Sequence, residues 1–453
     1  MIFKTIIRRF CSFGSNELRC NENIVFIDKL FNRNSKQISI FKETVKTREL
    51  KFLEKLFTTN GYQLRMTGGA VRDLLSGLPP KDFDLATNAT PDQMNNIIRN
   101  EANIWVLKFS SGHRNGTVFT RVYDKHNYEI TSLHKWTDER PGKPIFLNDW
   151  RLDALVRDFT INAMYLSFDG QLFDYVGGLN DLNNNVIRFV AGAESPIRQN
   201  VITIFRYFRF HCLYSPNAGH ESQVLTTIRD NLPVLRQTSG QRIWTEMKKI
   251  LVLKDCKHVI NIMFSELEMG SYLGFTSAPN LIEFNEVVDR LVSGVLSRYI
   301  TDWDPCTLFA ALIHSETDLK TVSKRLEIST QEKRLISDII KNRKIFPQKD
   351  ITDLRLQMVL AAEDRQHILK KSFTECFNYC GLFMQSYIIS NQDLPKFPFT
   401  GHLFFGRVNK KTLLSQTLID LKTFWFKRHF KCTQNELEVE LERLLQLKEL
   451  KKE

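Results

Sequence analysis

The stretch "GGAVRDLLSGLPPKDFDLAT" brings two carboxylates, Asp82 and Asp84, to alternate positions of an apolar segment. Alternate side chains of a strand share a face, so the two acids point together while Phe83 and Leu85 turn towards a core. Like charges held that close disfavour one another's ionisation and call for a counter-charge. The preceding Gly68-Gly69 turn opens a helix. Its free backbone N–H groups suit phosphate oxygens, and Arg72 follows one turn in. A third acid, Glu129, sits in "HNYEITS", with Ile130 as its core-facing neighbour. Three acids, a phosphate-receiving turn and an arginine suit phosphoryl transfer assisted by two divalent ions, Mg²⁺ or Mn²⁺. A lone Asp-x-Asp carries little, since most such pairs face solvent; the neighbours sharpen it.

These residues need elements to hold them. "RELKFLEKLFTTNGYQLRMTGG" reads as a helix stopping near Gly61, a short strand and the Gly-Gly turn, and Gly77 ends the helix that follows. "KDFDLAT" reads as a strand. "ATPDQMNNIIRN" reads as a helix capped by Thr90 with Pro91 in its first turn. "GTVFTRVYDKHNYEITSLH" predicts a hairpin turning at Asp124–Asn127, and "MYLSFDGQLFDYV" a second one turning at Asp169-Gly170. "HKWTDERPGKPIFLND" reads as a loop. Past Pro196 the pattern is amphipathic helix. The fold class is therefore an α/β head, a mixed sheet with helices, followed by an all-α remainder.

The 453 residues allow two or three domains with real cores. No apolar run approaches the length of a membrane-spanning helix. The formal net charge of +12 points to a polyanionic partner, nucleic acid ahead of a membrane surface. Eight cysteines with no CxxC pair fit a reduced compartment rather than a disulfide framework or a zinc site. Residues 1–40 begin "MIFKTIIRRF", basic and amphipathic with no acid before Glu17, the pattern of a mitochondrial targeting segment.

The Gly-Gly to Asp-x-Asp stretch resembles the first motif of the class II tRNA nucleotidyltransferases and bacterial poly(A) polymerases, in the DNA polymerase β superfamily. "DWRLDALVRDFTINAM" is similar to their second motif, in which Arg157-Asp158 would read the ribose of the incoming nucleotide. "DYVGGLNDL" resembles the third, with Asp174, Gly178 and Asp181, and "PIRQNVITIFRYFRF" the fourth, on a neck helix. "SGQRIWTEMKKIL" resembles the fifth, which buttresses that helix. The resemblance spans residues 45 to 255. It implies a head at 41–195, a nucleotide-selecting neck at 196–265 and a tRNA-binding body and tail at 266–453. It also implies CTP, ATP and tRNA as substrates, with no membrane partner; it assigns no subunit number. The implied activity is template-independent addition or repair of the tRNA CCA end, in mitochondria, with a cytoplasmic or nuclear share open.

The sequence departs from the family at four places. Val156 replaces the first arginine of the second motif and Gln241 a glutamate of the fifth. The usual Glu-Asp-x-x-Arg of the fourth becomes Gln199-Asn200 and Thr203. A carboxylate with a guanidinium imitates a base-pair edge. Asn200 keeps donor and acceptor without charge assistance, and Thr203 lacks the reach of a guanidinium fork. Arg206 and Arg209 remain on the same helix face to hold triphosphate or tRNA, with Phe205, Phe208 and Phe210 in the core. Two alternatives follow from the worn motif: an enzyme adding only CC or only A, or a non-catalytic tRNA-binding paralogue. The second predicts loss of the metal acids, and all three are present.

Overall fold

The computed structural model describes residues 23–32, 35–80, 82–107, 116–137, 143–216, 218–296, 302–398 and 411–450. The chain divides into two compact units, the first ending at Arg236 and the second beginning at Gln237. This division falls inside 196–265, so the two halves of that segment belong to different units.

The first unit is built on an eight-stranded sheet among the described residues, ordered β1-β10-β9-β2-β3-β6-β5-β4. Its strands are β1 (Asn23–Phe26), β2 (Leu64–Thr67), β3 (Asp84–Thr87), β4 (Ile104–Val106), β5 (Thr117–Val122), β6 (His126–Ser132), β9 (Met164–Leu166) and β10 (Gln171–Asp174). A separate hairpin joins β7 (His134–Trp136) to β8 (Pro144–Phe146), so the ends of the expected loop pair as strands. Neighbours in the large sheet run antiparallel except β3 and β6, which run parallel with Asp84 opposite Glu129. Parallel partners start at the same end, which is how acids 45 positions apart arrive side by side.

The described α-helices of this unit longer than four residues are α1 (Lys36–Val45), α2 (Arg48–Thr59), α3 (Gly68–Leu75), α4 (Pro91–Arg99), α5 (Trp150–Leu155), α6 (Gly178–Asn183), α7 (Glu194–Gln199), α8 (Thr203–Tyr214) and α9 (Ser222–Asn231). Thr90 and Gln93 form a reciprocal capping box at the start of α4, as Thr90-Pro91 forecasts. Gly61 and Gly77, both at positive φ, follow α2 and α3. Behind the sheet, Ala86, Trp150, Ala154, Ala163, Tyr165 and Phe173 form a buried cluster.

Three expectations shift. The sheet begins before residue 41: β1 pairs with β10 from Asn23↔Asp174 to Phe26↔Gln171, within the stretch assigned to targeting. Residues 1–22, which hold Lys4, Arg8 and Arg9, lie outside the described residues. The first hairpin turns at Tyr123–Asp124, both at φ 52°, while His126 and Asn127 are already in β6. Asp82 and Phe83 precede β3 rather than belonging to it, and Lys81 is outside the described residues.

The second unit is helical, including Gly240–Leu251, Leu281–Leu296, Glu363–Cys380 and Gln434–Leu450. Gly240, from the fifth motif, packs so tightly that a Cβ there would lie 2.0 Å from the Arg325 carbonyl oxygen. No described helix is long and apolar enough to cross a membrane.

Candidate active site

Asp84 opens β3, half-buried ahead of the fully buried Leu85, Ala86 and Thr87. The Gly68-Gly69 turn lies against it. A Cβ on Gly68, whose φ is 59°, would stand 3.2 Å from Asp84 Oδ2, and one on Gly69 3.9 Å from the same oxygen. Glycine is needed at 68 both for its left-handed backbone and for this close approach. Burial pushes the Asp84 carboxyl above its ordinary range, and Asp82 adds to it, against the pull of Arg157, Arg72 and the Gly69 backbone. Glu129, exposed on β6, is likewise pushed up by desolvation and then by Asp84 and Asp82. The three acids therefore share one electrostatic site.

These are hard oxygen donors whose mutual repulsion a cation would relieve, so the residues fit a divalent ion. Among the described residues no three His, Cys, Asp or Glu side chains form a complete metal site by themselves.

The arginines are placed differently from the expectation. Arg72 is buried, not an open fork for phosphate: its Nε donates to Tyr214 Oη at 3.1 Å and its Nη1 to Asn162 Oδ1. The guanidinium lies 4.8 Å from the Phe210 ring centroid. Its Nη2 lies beside the Gly-Gly turn, 3.6 Å from where a Cβ on Gly69 would stand, and its charge reaches Asp84 from there. Arg157 and Asp158 form no pair with each other among the described contacts; they engage different elements. Arg157 Nε donates to Asp153 Oδ2 at 2.9 Å, and Nη1 to Thr67 Oγ1 at 2.7 Å and to the Asn162 carbonyl at 3.2 Å. Asp153 is itself fixed by Tyr165 Oη at 2.5 Å and the His134 N–H at 2.9 Å. Asp158 Oδ2 accepts from Arg206 Nε at 2.8 Å, and Oδ1 from Asn162 Nδ2 at 2.8 Å and its neighbour Phe159 N–H at 2.9 Å. Arg206 holds this carboxylate below its ordinary range despite burial.

The expected selector residues do not share one helix. Gln199 ends α7, and Asn200, with φ −147° and ψ 99°, breaks the chain direction before α8. Both are exposed, and Asn200 Oδ1 accepts from the Ile202 N–H at 3.3 Å. Thr203 opens α8 and is 3% exposed, because the chain reversal turns it inward. Arg206 and Arg209 are half-buried; Arg209 stacks 4.5 Å from the Phe210 centroid. Phe205, Phe208 and Phe210 are core, as expected. The third motif is scaffold. Asp174 accepts from the backbone N–H groups of Gly177, Gly178 and Leu179, each at 2.9 Å. Asp181 is buried against Thr160 and Arg188, and a Cβ on Gly178 would strike the Thr160 carbonyl at 2.2 Å.

Thr67, Asp153, Asn162 and Tyr214 are absent from the sequence-derived set although each touches it. Two signals were legible: Asn162 follows Asp158, and Arg157 follows Asp153, by four residues, a spacing that permits a side-chain hydrogen bond. The partners of Tyr214 and Thr67 lie 142 and 90 residues away and left no such signal.

Comparison with known proteins bears on this geometry. A family model described as the poly A polymerase head domain matches residues 64–188, from β2 through the third motif. The mitochondrial CCA tRNA nucleotidyltransferase 1 of Homo sapiens is 35% identical over 397 residues, 86% of this chain and 89% of the human one. Its Mus musculus counterpart is 34% identical over 426 residues, 93% and 96% of the two chains. A crystal structure of the Bacillus stearothermophilus CCA-adding enzyme in complex with CTP shares the fold, with a TM-score of 0.62, 19% identity, and coverage of 91% of this chain and 99% of that one. The identity to the human and mouse chains extends over most of both chains. The protein therefore belongs to the CCA tRNA nucleotidyltransferase family.

Proposed function

We propose that the protein adds or repairs the 3′-terminal CCA of tRNA, taking CTP and ATP without a nucleic-acid template. The observation that carries this reading is the Asp84 carboxylate lying 3.2 Å from the space a Gly68 side chain would fill, in parallel register with Glu129. The tRNA 3′ hydroxyl attacks the α-phosphorus of the nucleotide. A new phosphorus–oxygen bond forms, the bond to the bridging oxygen breaks, and pyrophosphate leaves. The Gly68-Gly69 backbone receives the triphosphate, with Arg72 and Arg157 contributing positive charge. Asp158 addresses the ribose, Asn200 and Gln199 stand exposed for the base, and Arg206 and Arg209 present charge from α8. Glu129 stands beside Asp84 to receive the hydroxyl proton. Dependence on a divalent metal comes with the family; we assign two Mg²⁺ ions to Asp82 and Asp84, with Mn²⁺ as a substitute. When bound, the metal neutralises the triphosphate and lowers the pKa of the attacking hydroxyl.

The test gives purified protein tRNA transcripts lacking CCA, lacking only A, and complete, with each nucleotide separately. The expected result is CMP then AMP incorporation, lost in Asp82→Ala while tRNA binding persists, because phosphate contacts dominate affinity. Full incorporation by Asp82→Ala would sink the metal assignment. The replacement of Glu-Asp-x-x-Arg by Gln199, Asn200 and buried Thr203 favours one second reading, a partial-end enzyme. That reading requires the transcript lacking CCA to stop short, or to be refused while the transcript lacking only A is accepted.

A mitochondrial location is supported by the names of the human and mouse relatives and by the basic N-terminal stretch. Residues 1–22 fused to a fluorescent reporter should direct it to mitochondria; a diffuse signal would count against the assignment.

A further inference from the structure

A hydrogen-bonded line of four side chains runs through the head: Arg72, Asn162, Asp158 and Arg206. Arg72 Nη1 donates to Asn162 Oδ1. Asn162 Nδ2 donates to Asp158 Oδ1 at 2.8 Å. Asp158 Oδ2 accepts from Arg206 Nε at 2.8 Å and lies 2.6 Å from Arg206 Nη2. One end rests on α3, beside the phosphate-receiving turn, and the other on α8. The line also closes on itself, because Arg72 Nε donates to Tyr214 at the end of α8.

Asn162 is the centre of this line and is only 5% exposed. Its neighbours fix its orientation without ambiguity. A guanidinium has only donors, so it must meet the amide oxygen, and an ionised carboxylate has only acceptors, so it must meet the amide nitrogen. A primary amide is the short side chain that links a cation to an anion with both polarities right. A leucine would leave both charged partners short of a bond, and a carboxylate would oppose Asp158 across a hydrogen-bond distance. The Asn162 backbone carbonyl meanwhile accepts from Arg157 Nη1 at 3.2 Å, so the same residue touches all three arginines' network.

We propose that Asn162 is a positioning residue for nucleotide binding. It sets Arg72 beside the triphosphate turn and the Asp158–Arg206 pair at the neck helix in one fixed arrangement, so that the triphosphate and nucleoside ends are gripped together. It meets no reacting atom. The inference rests on the nucleotidyltransferase reading of this site.

The test uses the full chain, tRNA transcripts lacking CCA or only A, and three variants: Asn162→Asp, Asp158→Asn and both together. Asn162→Asp keeps the acceptor for Arg72 but sets two carboxylates against each other. The double change restores the links from Arg72 to 162, from 162 to 158 and from 158 to Arg206, with the polarity of the 158–162 link reversed and the total charge of the parent; it gives up only the Phe159 N–H bond to Oδ1. Asn162→Asp should raise KM for CTP and ATP at least tenfold with a smaller change in kcat, while KM for tRNA stays within twofold. The double variant should recover at least fivefold of that loss. A nucleotide KM within twofold of the parent in Asn162→Asp would overturn the proposal. So would a double variant no better than the poorer single one at a parental melting temperature. Should Asn162→Asp fail to fold, Asn162→Ala, which removes the link without adding a charge, carries the test: the same rise in nucleotide KM with KM for tRNA unchanged supports the proposal, and a parental nucleotide KM overturns it. A parent protein that incorporates no nucleotide would instead mark failure of the enzymatic reading itself.

Discussion

Replacing Gly68 by alanine separates two costs that the structure places on one residue. The first is conformational: φ is 59°, and an L-residue in the left-handed region costs roughly 1–2 kcal/mol. For a unit of this size each kcal/mol lowers the melting temperature by about 2–4 °C, giving a loss of about 2–8 °C. The second cost is specific to the site. The new Cβ would lie 3.2 Å from Asp84 Oδ2, so the carboxylate must yield by a few tenths of an ångström. A misplacement of about 1 Å costs on the order of a hundredfold in rate, so this displacement should cost roughly five- to tenfold. Gly61→Ala is the control: its φ is 80° and a Cβ there meets nothing within 4 Å. Both variants should melt earlier by similar amounts. Only Gly68→Ala should lose kcat/KM for CTP and ATP, measured on transcripts lacking CCA and lacking A, with tRNA affinity unchanged. Equal kcat/KM in the two variants, within twofold, would refute the placement of Asp84 over the Gly-Gly turn as the catalytic arrangement.

Asp84→Asn should abolish incorporation yet raise the melting temperature at neutral pH, by about 0.5–2 kcal/mol of stability. Burial and Asp82 hold this carboxyl above its ordinary range, so the folded protein binds the proton more tightly than the unfolded chain, and stability is lost as pH rises through that range. The amide escapes this loss; thermal melts from pH 4 to 7 should show the gap widening, and a narrowing gap would refute the electrostatic account. Gln199→Glu with Asn200→Asp changes two exposed positions at the end of α7 and leaves buried Thr203 alone. It should sharpen preference for CTP and ATP over GTP and UTP by roughly five- to hundredfold, from about 1–3 kcal/mol per wrong base. Unchanged ratios of kcat/KM for the four nucleotides would show that the base is read elsewhere.

The sequence by itself determined the local structure around the site and its chemistry. Positive-φ glycines at 61, 68, 77 and 170, the Thr90 cap and the Asp169-Gly170 turn act through contacts within a few residues, so their residue types report them directly. The ordered motifs marked the family because the chemistry constrains residue type at each position. Tertiary structure alone decided the rest. Residues 23–26 are too short a strand to declare themselves, and only pairing with β10 makes them one. The parallel register of β3 and β6 sets Glu129 beside Asp84, and no local period encodes which strands pair. Arg72, Arg157 and Asp158 look from spacing like ligands for a nucleotide, yet each spends its hydrogen bonds first on protein groups. A buried charge needs partners, and those partners come from wherever in the chain the fold delivers them: Asn162 for Arg72, Thr67 for Arg157 and Arg206 for Asp158.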